Sequence, residues 1–95
     1  MGTLAESEVR AALAGLDGWA LAGAAIVKEF RFGGFPEAVA FVGRLVEPAE
    51  AADHHPDLDI RYNRVTVTLS THSEGGVTPK DLALAPRIDA LAGGG

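Results

Sequence analysis

The run Val65-Thr66-Val67-Thr68-Leu69-Ser70 alternates apolar and hydroxyl side chains without a break. That pattern belongs to a strand, because successive side chains of a strand point to opposite faces. Val65, Val67 and Leu69 then face a core, and Thr66, Thr68 and Ser70 face solvent or a second subunit. One half-buried strand requires sheet neighbours and a layer over its apolar face. The remaining segments supply both.

Ninety-five residues allow one domain with one core, so residues 1–95 are expected to form a single domain. Thr3-Leu4-Ala5-Glu6 reads as a capping box, and Val9, Leu13 and Leu16 recur at helical spacing, predicting a helix over about 4–15. Trp19–Leu21 and Ala25–Phe32 form a predicted hairpin around Gly23. Ile26, Phe30 and Phe32 share one face, with Lys28 the odd member.

Pro36 suits the first turn of a second helix, whose stripe is Val39, Val42, Leu45, Val46 and Ala49. Pro48 lies inside it and deletes a backbone bond, costing about 3 kcal/mol if nothing compensates. The continuing stripe favours one kinked helix over about 36–52. The alternative is two shorter helices broken near Glu47. Leu58–Tyr62 reads as a short strand and Asn63-Arg64 as a turn. Thr78 caps a third helix with Pro79 at its first position and a stripe of Leu82, Ala85, Ile88 and Leu91. Pro86 is expected to bend or loosen it, and Gly93-Gly94-Gly95 to form a frayed tail. The predicted class is α+β, in the order α-β-β-α-β-β-α. Four antiparallel strands with helices on one face would bury every stripe.

An apolar fraction of 47% and a charged fraction of 22% fit a folded chain rather than a disordered one. Aromatic residues are few, and a small core of Ala, Val, Leu and Ile often gains stability from self-association. A homo-oligomer is therefore expected. The net charge of −5 and the scattered basic residues argue against nucleic acid or an anionic membrane as partner. Without cysteine there are no disulfides, thiolate metal sites or thiol nucleophiles. The N-terminus lacks a signal-peptide pattern and no stretch could span a bilayer, so a soluble cytoplasmic protein is expected.

Candidate chemistry gathers in Asp53-His54-His55-Pro56 and in Ser70-Thr71-His72, which hold all three histidines. Neutral imidazole both donates and accepts a proton near pH 7, which suits proton transfer. A helix ending before Pro56 lets both adjacent rings turn into one pocket. The helix end also carries partial negative charge, which attracts imidazolium. A structural role for each histidine on its loop is the competing reading. A three-histidine zinc site is disfavoured, because adjacent residues rarely aim both rings at one ion. Asp81 is most simply a capping residue, though a helix N-terminus beside a strand end also reaches a pocket. Gly75-Gly76 lacks the Gly-Lys-Ser/Thr of a phosphate loop.

From about Leu16-Asp17-Gly18-Trp19 to Leu91 the chain resembles the pterin-4a-carbinolamine dehydratases. The resemblance rests on Asp53-His54-His55-Pro56, on Tyr62-Asn63 with Val65 to His72, and on Gly75-Gly76-Val77-Thr78 leading to Asp81. The spacings from His55 to His72 and from His72 to Asp81 match, as do Phe30, Phe32, Phe35 and Ala38. The resemblance implies the same α+β fold, with sheets joined edge to edge in a homodimer and, in some members, a homotetramer paired through the second helix. It implies dehydration of 4a-hydroxytetrahydropterin to quinonoid dihydropterin in pterin recycling, with the reduced pterin as substrate and no metal or other cofactor. A functional link to an aromatic amino-acid hydroxylase, the source of that substrate, follows from it.

By the same resemblance His54 and His72 would be the acid–base pair, His55 would mainly hold the pterin and Asp81 would orient or polarise a histidine. Asp53, Pro56, Ser70 and Thr71 would line the substrate, and Glu50, four residues before His54, would also reach the pocket. The departures are Leu58 where many members carry an aromatic residue, Ser73 where an acidic one is common, and Pro48 and Pro86 inside helices. A non-catalytic dimerisation or assembly partner on the same fold is the alternative. The joint presence of His54, His55, His72 and Asp81 favours the enzyme.

Overall fold

The computed structural model describes residues 3–93. Helix α1 covers Glu6–Leu13, followed by strands β1 (Ala20–Ala22) and β2 (Ala25–Arg31). Helices α2 (Phe35–Arg44) and α3 (Val46–Ala52) come next, then strands β3 (Asp57–Arg61) and β4 (Arg64–Leu69). A 3-10 turn at His72–Glu74 leads to α4, Pro79–Gly93. Of the expected glycine tail, Gly93 closes α4, and Gly94 and Gly95 lie outside the described residues.

The strands form one antiparallel sheet in the order β1-β2-β4-β3. Central β4 carries the alternation seen in the sequence, with Val65, Val67 and Leu69 fully buried. Opposite them on β2 stand Phe30, Lys28 and Ile26. Ala38 and Phe41 of α2, Leu45, and Leu84, Ala85 and Ile88 of α4 close over that face. Phe41 anchors the contact, its ring 5.0 Å from Phe30 and 4.9 Å from Phe32 between centroids. The fold is the expected α+β arrangement with helices on one face.

Lys28 keeps its place on the core side because it has partners there. Its ammonium lies 2.8 Å from Asp89 Oδ1 of α4, 2.9 Å from the Asp17 carbonyl and 4.9 Å from the centroid of the Phe30 ring. Asp89 also accepts the buried Trp19 indole N–H, 3.1 Å from each carboxylate oxygen. A partly buried charge is tolerated when it is paired and hydrogen-bonded in this way.

Three local expectations give way. Helix α1 starts at Glu6, and its cap is one-sided: the Glu8 carboxylate accepts the Ala5 N–H at 2.9 Å, and Ala5 has no side-chain oxygen to return the bond. Glu6 instead pairs with Arg10, 2.9 Å away and one turn on. The middle helix is two helices, broken at Leu45, whose N–H turns back to the Val42 carbonyl at 3.1 Å. The break sets Pro48 third in α3, in a first turn whose N–H groups have no intrahelical acceptor. The β3–β4 turn is Tyr62-Asn63, because Arg61 pairs with Arg64. Asn63 is held by two bonds to Phe32, its amide to the carbonyl at 3.1 Å and its own carbonyl to the Phe32 N–H at 2.9 Å. Helix α4 runs through Pro86, which faces solvent, without interruption.

Candidate active site

The first half of the site is made by the way α3 ends. Asp53 adopts the left-handed conformation (φ 49°, ψ 44°). The His54 N–H reaches the Ala49 carbonyl at 3.0 Å, and the Asp53 N–H reaches Glu50 at 3.2 Å. These two bonds make a Schellman close, which usually needs glycine; Asp is among the few other residues that enter this conformation readily. The turn carries His54 inward, where its side chain is 9% exposed.

The second half is made by the way α4 begins. Thr78 Oγ1 accepts the Lys80 N–H at 3.2 Å, and Asp81 Oδ2 accepts the Thr78 N–H at 2.9 Å. This is a reciprocal cap. Asp81 is wholly buried, and its two oxygens are divided. Oδ2 also accepts the Thr71 hydroxyl at 2.9 Å, and the Thr71 and Thr78 hydroxyl oxygens are 2.7 Å apart. Oδ1 lies 2.5 Å from His54 Nε2. A carboxylate spent on capping a helix therefore also holds the buried imidazole.

The other two histidines occupy different surroundings. His55 is 56% exposed and its Nε2 lies 2.5 Å from Glu50 Oε2. Both line a hollow of about 190 Å³ with Pro56, Leu58, Ala49, Val42, Leu45 and Val46. His72 is 74% exposed, with Nε2 3.5 Å from Asp57 Oδ2. Because Asp57 follows Pro56 directly, the end of β4 and the end of α3 do meet. The three rings meet different partners: His54 turns to Asp81 of α4, His55 to Glu50 of α3, and His72 to Asp57 at the start of β3. Asp53 is exposed and sets the turn, and the Ser70 hydroxyl donates to the Ala24 carbonyl at 2.7 Å. Among the described residues no group of three His, Asp or Glu side chains is placed to hold a metal ion.

Thr78 also belongs to the site, although the sequence alone marks it only as a helix cap. Its signal was in the chain: the Thr78-Pro79-Lys80-Asp81 spacing that makes Asp81 a capping residue also sets the Thr78 N–H on its carboxylate.

Residues 2–91 match the family model described as Pterin 4 alpha carbinolamine dehydratase. The chain belongs to this family. A provisionally named pterin-4-alpha-carbinolamine dehydratase of Mycobacteroides abscessus is 50% identical over 93 residues, 98% of this chain and 99% of its own. One from Chloroflexus aurantiacus is likewise 50% identical, over 98% of this chain and 100% of its own. Among solved structures, a transcriptional coactivator/pterin dehydratase from Brucella melitensis superposes with a TM-score of 0.90 at 44% identity, covering 95% of this chain and 98% of its own. A pterin dehydratase-like protein identified as a RuBisCO assembly factor in the alpha-carboxysome gives 0.65 at 28% identity, covering 79% and 87%. Membership places the chain among dehydratases, which are hydro-lyases. Of its departures from the dehydratase pattern, Leu58 forms part of the His55 hollow and Pro48 is buried in α3.

Proposed function

We propose that this chain is a 4a-hydroxytetrahydrobiopterin dehydratase, removing water from the 4a-hydroxy pterin to give quinonoid dihydropterin. The observation that carries the reading is the buried Asp81 carboxylate, which joins His54 of one histidine-bearing segment to Thr71 of the other. The reaction is a balanced elimination. The 4a-oxygen takes a proton and leaves as water with the C4a–O bonding pair. The N5 lone pair closes the C4a=N5 bond and N5 gives its hydrogen to a base. Nothing is oxidised or reduced, so acid–base groups suffice and no metal or redox cofactor is needed.

We assign the proton transfers to His54 and His72, with Asp81 orienting His54. His55, Glu50 and Pro56 would hold the pterin against the hollow they line. The hydroxyls of Ser70 and Thr71 are engaged elsewhere in the protein, so those residues would meet substrate through backbone groups. Asp53 would serve by setting the turn. An aromatic amino-acid hydroxylase is the kind of enzyme that supplies this substrate, and a cytoplasmic setting fits it. Among the described residues no helix is long and apolar enough to cross a membrane. A homo-oligomer is favoured by the edge strand β3: Leu58 and Ile60 lie on the helix-covered side, opposite Val67 and Val65, yet are 39% and 40% exposed. Pairing with a second copy would cover them.

The test is turnover of a 4a-hydroxytetrahydropterin by the purified, chelator-treated protein. His54→Ala and His72→Ala should each lower the rate. The His72 change should leave melting nearly unaltered, since that side chain is 74% exposed. Wild-type decay at the uncatalysed rate would refute the reading. The likeness to a RuBisCO assembly factor favours a second one, a non-catalytic dimerisation or assembly role. Stoichiometric capture of a protein partner, together with no pterin binding by calorimetry, would establish it instead.

A further inference from the structure

We propose that Thr71 and Thr78 form a one-way hydroxyl chain that fixes His54 with its proton on Nε2, so that Nδ1 is the ring atom offered to substrate. The first clause rests on hydrogen-bond directions around an ionised Asp81; the second rests on the dehydratase reading above.

A threonine hydroxyl has one proton to give. Thr71 Oγ1 touches two oxygens, Asp81 Oδ2 at 2.9 Å and Thr78 Oγ1 at 2.7 Å. An ionised carboxylate only accepts. The Thr71 proton therefore goes to Asp81, and the bond between the two threonines is donated by Thr78. Thr78 Oγ1 in turn accepts the Lys80 N–H at 3.2 Å. Every hydrogen is thus placed along a line from the first turn of α4 to the carboxylate. The Thr78 N–H adds a second donor on Oδ2, also at 2.9 Å.

Two donors on Oδ2 leave no room for a proton there. The remaining oxygen, Oδ1, faces His54 Nε2 at 2.5 Å, and this contact has two possible arrangements. Either Nε2–H donates to an ionised Oδ1, or a protonated Oδ1 donates to Nε2 and the ring proton sits on Nδ1. The second makes Asp81 neutral while two donors, one of them at a helix N-terminus, point at it. Charge-assisted bonds to the anion favour the first. Thr71 and Thr78 are positioning residues in this scheme: they act on the ring only through Asp81, and with its proton on Nε2 the imidazole carries on Nδ1 the lone pair that accepts a proton.

Nitrogen NMR of the histidine-labelled protein, recorded without pterin, decides the point. Wild-type His54 should show a directly bonded proton on Nε2 and a pyridine-like Nδ1. Thr71→Val removes the hydroxyl at nearly constant shape. It should move both nitrogen shifts towards tautomer averaging and lower kcat about tenfold with KM changed less than twofold, as expected for loss of one bond to a charged group. Thr71→Ser should restore both readouts. A wild-type proton on Nδ1 would overturn the proposal, as would a folded Thr71→Val protein with unchanged nitrogen shifts. The wild-type spectrum answers even if that variant does not fold. It also answers if the chain turns over no pterin, which would remove the catalytic clause and leave the tautomer.

Discussion

Replacing Asp81 with alanine should cost this chain a large part of its stability, although the site lies at its edge. Three donors end on the carboxylate: the Thr71 hydroxyl, the Thr78 N–H and the His54 ring. In Asp81→Ala the Thr71 hydroxyl can turn to Thr78 Oγ1, 2.7 Å away, reversing the bond between the two threonines, so both hydroxyls keep a partner although one proton loses its acceptor. The Thr78 N–H and one His54 nitrogen cannot. A buried polar group left without a partner costs about 1–3 kcal/mol, so the pair costs about 2–6 kcal/mol. A domain of this length has about 5–14 kcal/mol in total. At roughly 4–8 °C per kcal/mol, a loss near the middle of that range lowers Tm by about 15–30 °C. Urea and thermal unfolding followed by circular dichroism, with the fluorescence of buried Trp19 as second probe, would measure it. Asp81→Asn keeps one acceptor oxygen and should lose less, about 1–2 kcal/mol. In a double-mutant cycle His54→Ala and Asp81→Ala should couple by about 0.5–3 kcal/mol. A Tm for Asp81→Ala within about 2 °C of wild type would show that the carboxylate is no hub.

Asp53→Gly should leave stability level or raise it, because glycine enters the left-handed region freely, whereas Asp53→Val should lose about 1–2 kcal/mol; urea midpoints of the two variants, compared side by side, check the sign. Asp89→Ala strands the buried Trp19 indole N–H and leaves the Lys28 ammonium the Asp17 carbonyl and the Phe30 ring, and should cost about 1–3 kcal/mol with a change in Trp19 emission. Unaltered emission together with an unaltered midpoint would remove the role given to that clamp.

The parts of the fold legible in the sequence are those where one face of an element decides burial. Val65, Val67 and Leu69, or Leu82, Ala85 and Ile88, state their face whatever surrounds them. Choices between competing local partners were not legible. Thr3 with Glu6 and Ala5 with Glu8 both offer a cap, and the Arg10 pairing took Glu6. The apolar stripe crosses Leu45 unbroken, so it cannot tell a kink from a break; only the first-turn position that the break gives Pro48 separates them. For the site, His54, His55, His72 and Asp81 stood out as a set. Their separate orientations did not, because each depends on a partner distant in sequence: Asp81 for His54, and Asp57 for His72.

That dependence explains why the site lies at helix ends. A histidine in mid-helix has its backbone committed and its side chain confined to one face. At the close of α3, the left-handed Asp53 redirects the chain and lets the next residue enter the protein. At the start of α4, the unpaired N–H groups oblige the sequence to bring an acceptor, and the one at Asp81 has a second oxygen to spare. His54 meets that oxygen. Cutting the link at either end therefore perturbs folding and the candidate chemistry together. A change at His72, which no buried group requires, should perturb only the chemistry. If His54→Ala and His72→Ala lowered Tm equally, the division of labour between the buried and the exposed histidine would have to be abandoned.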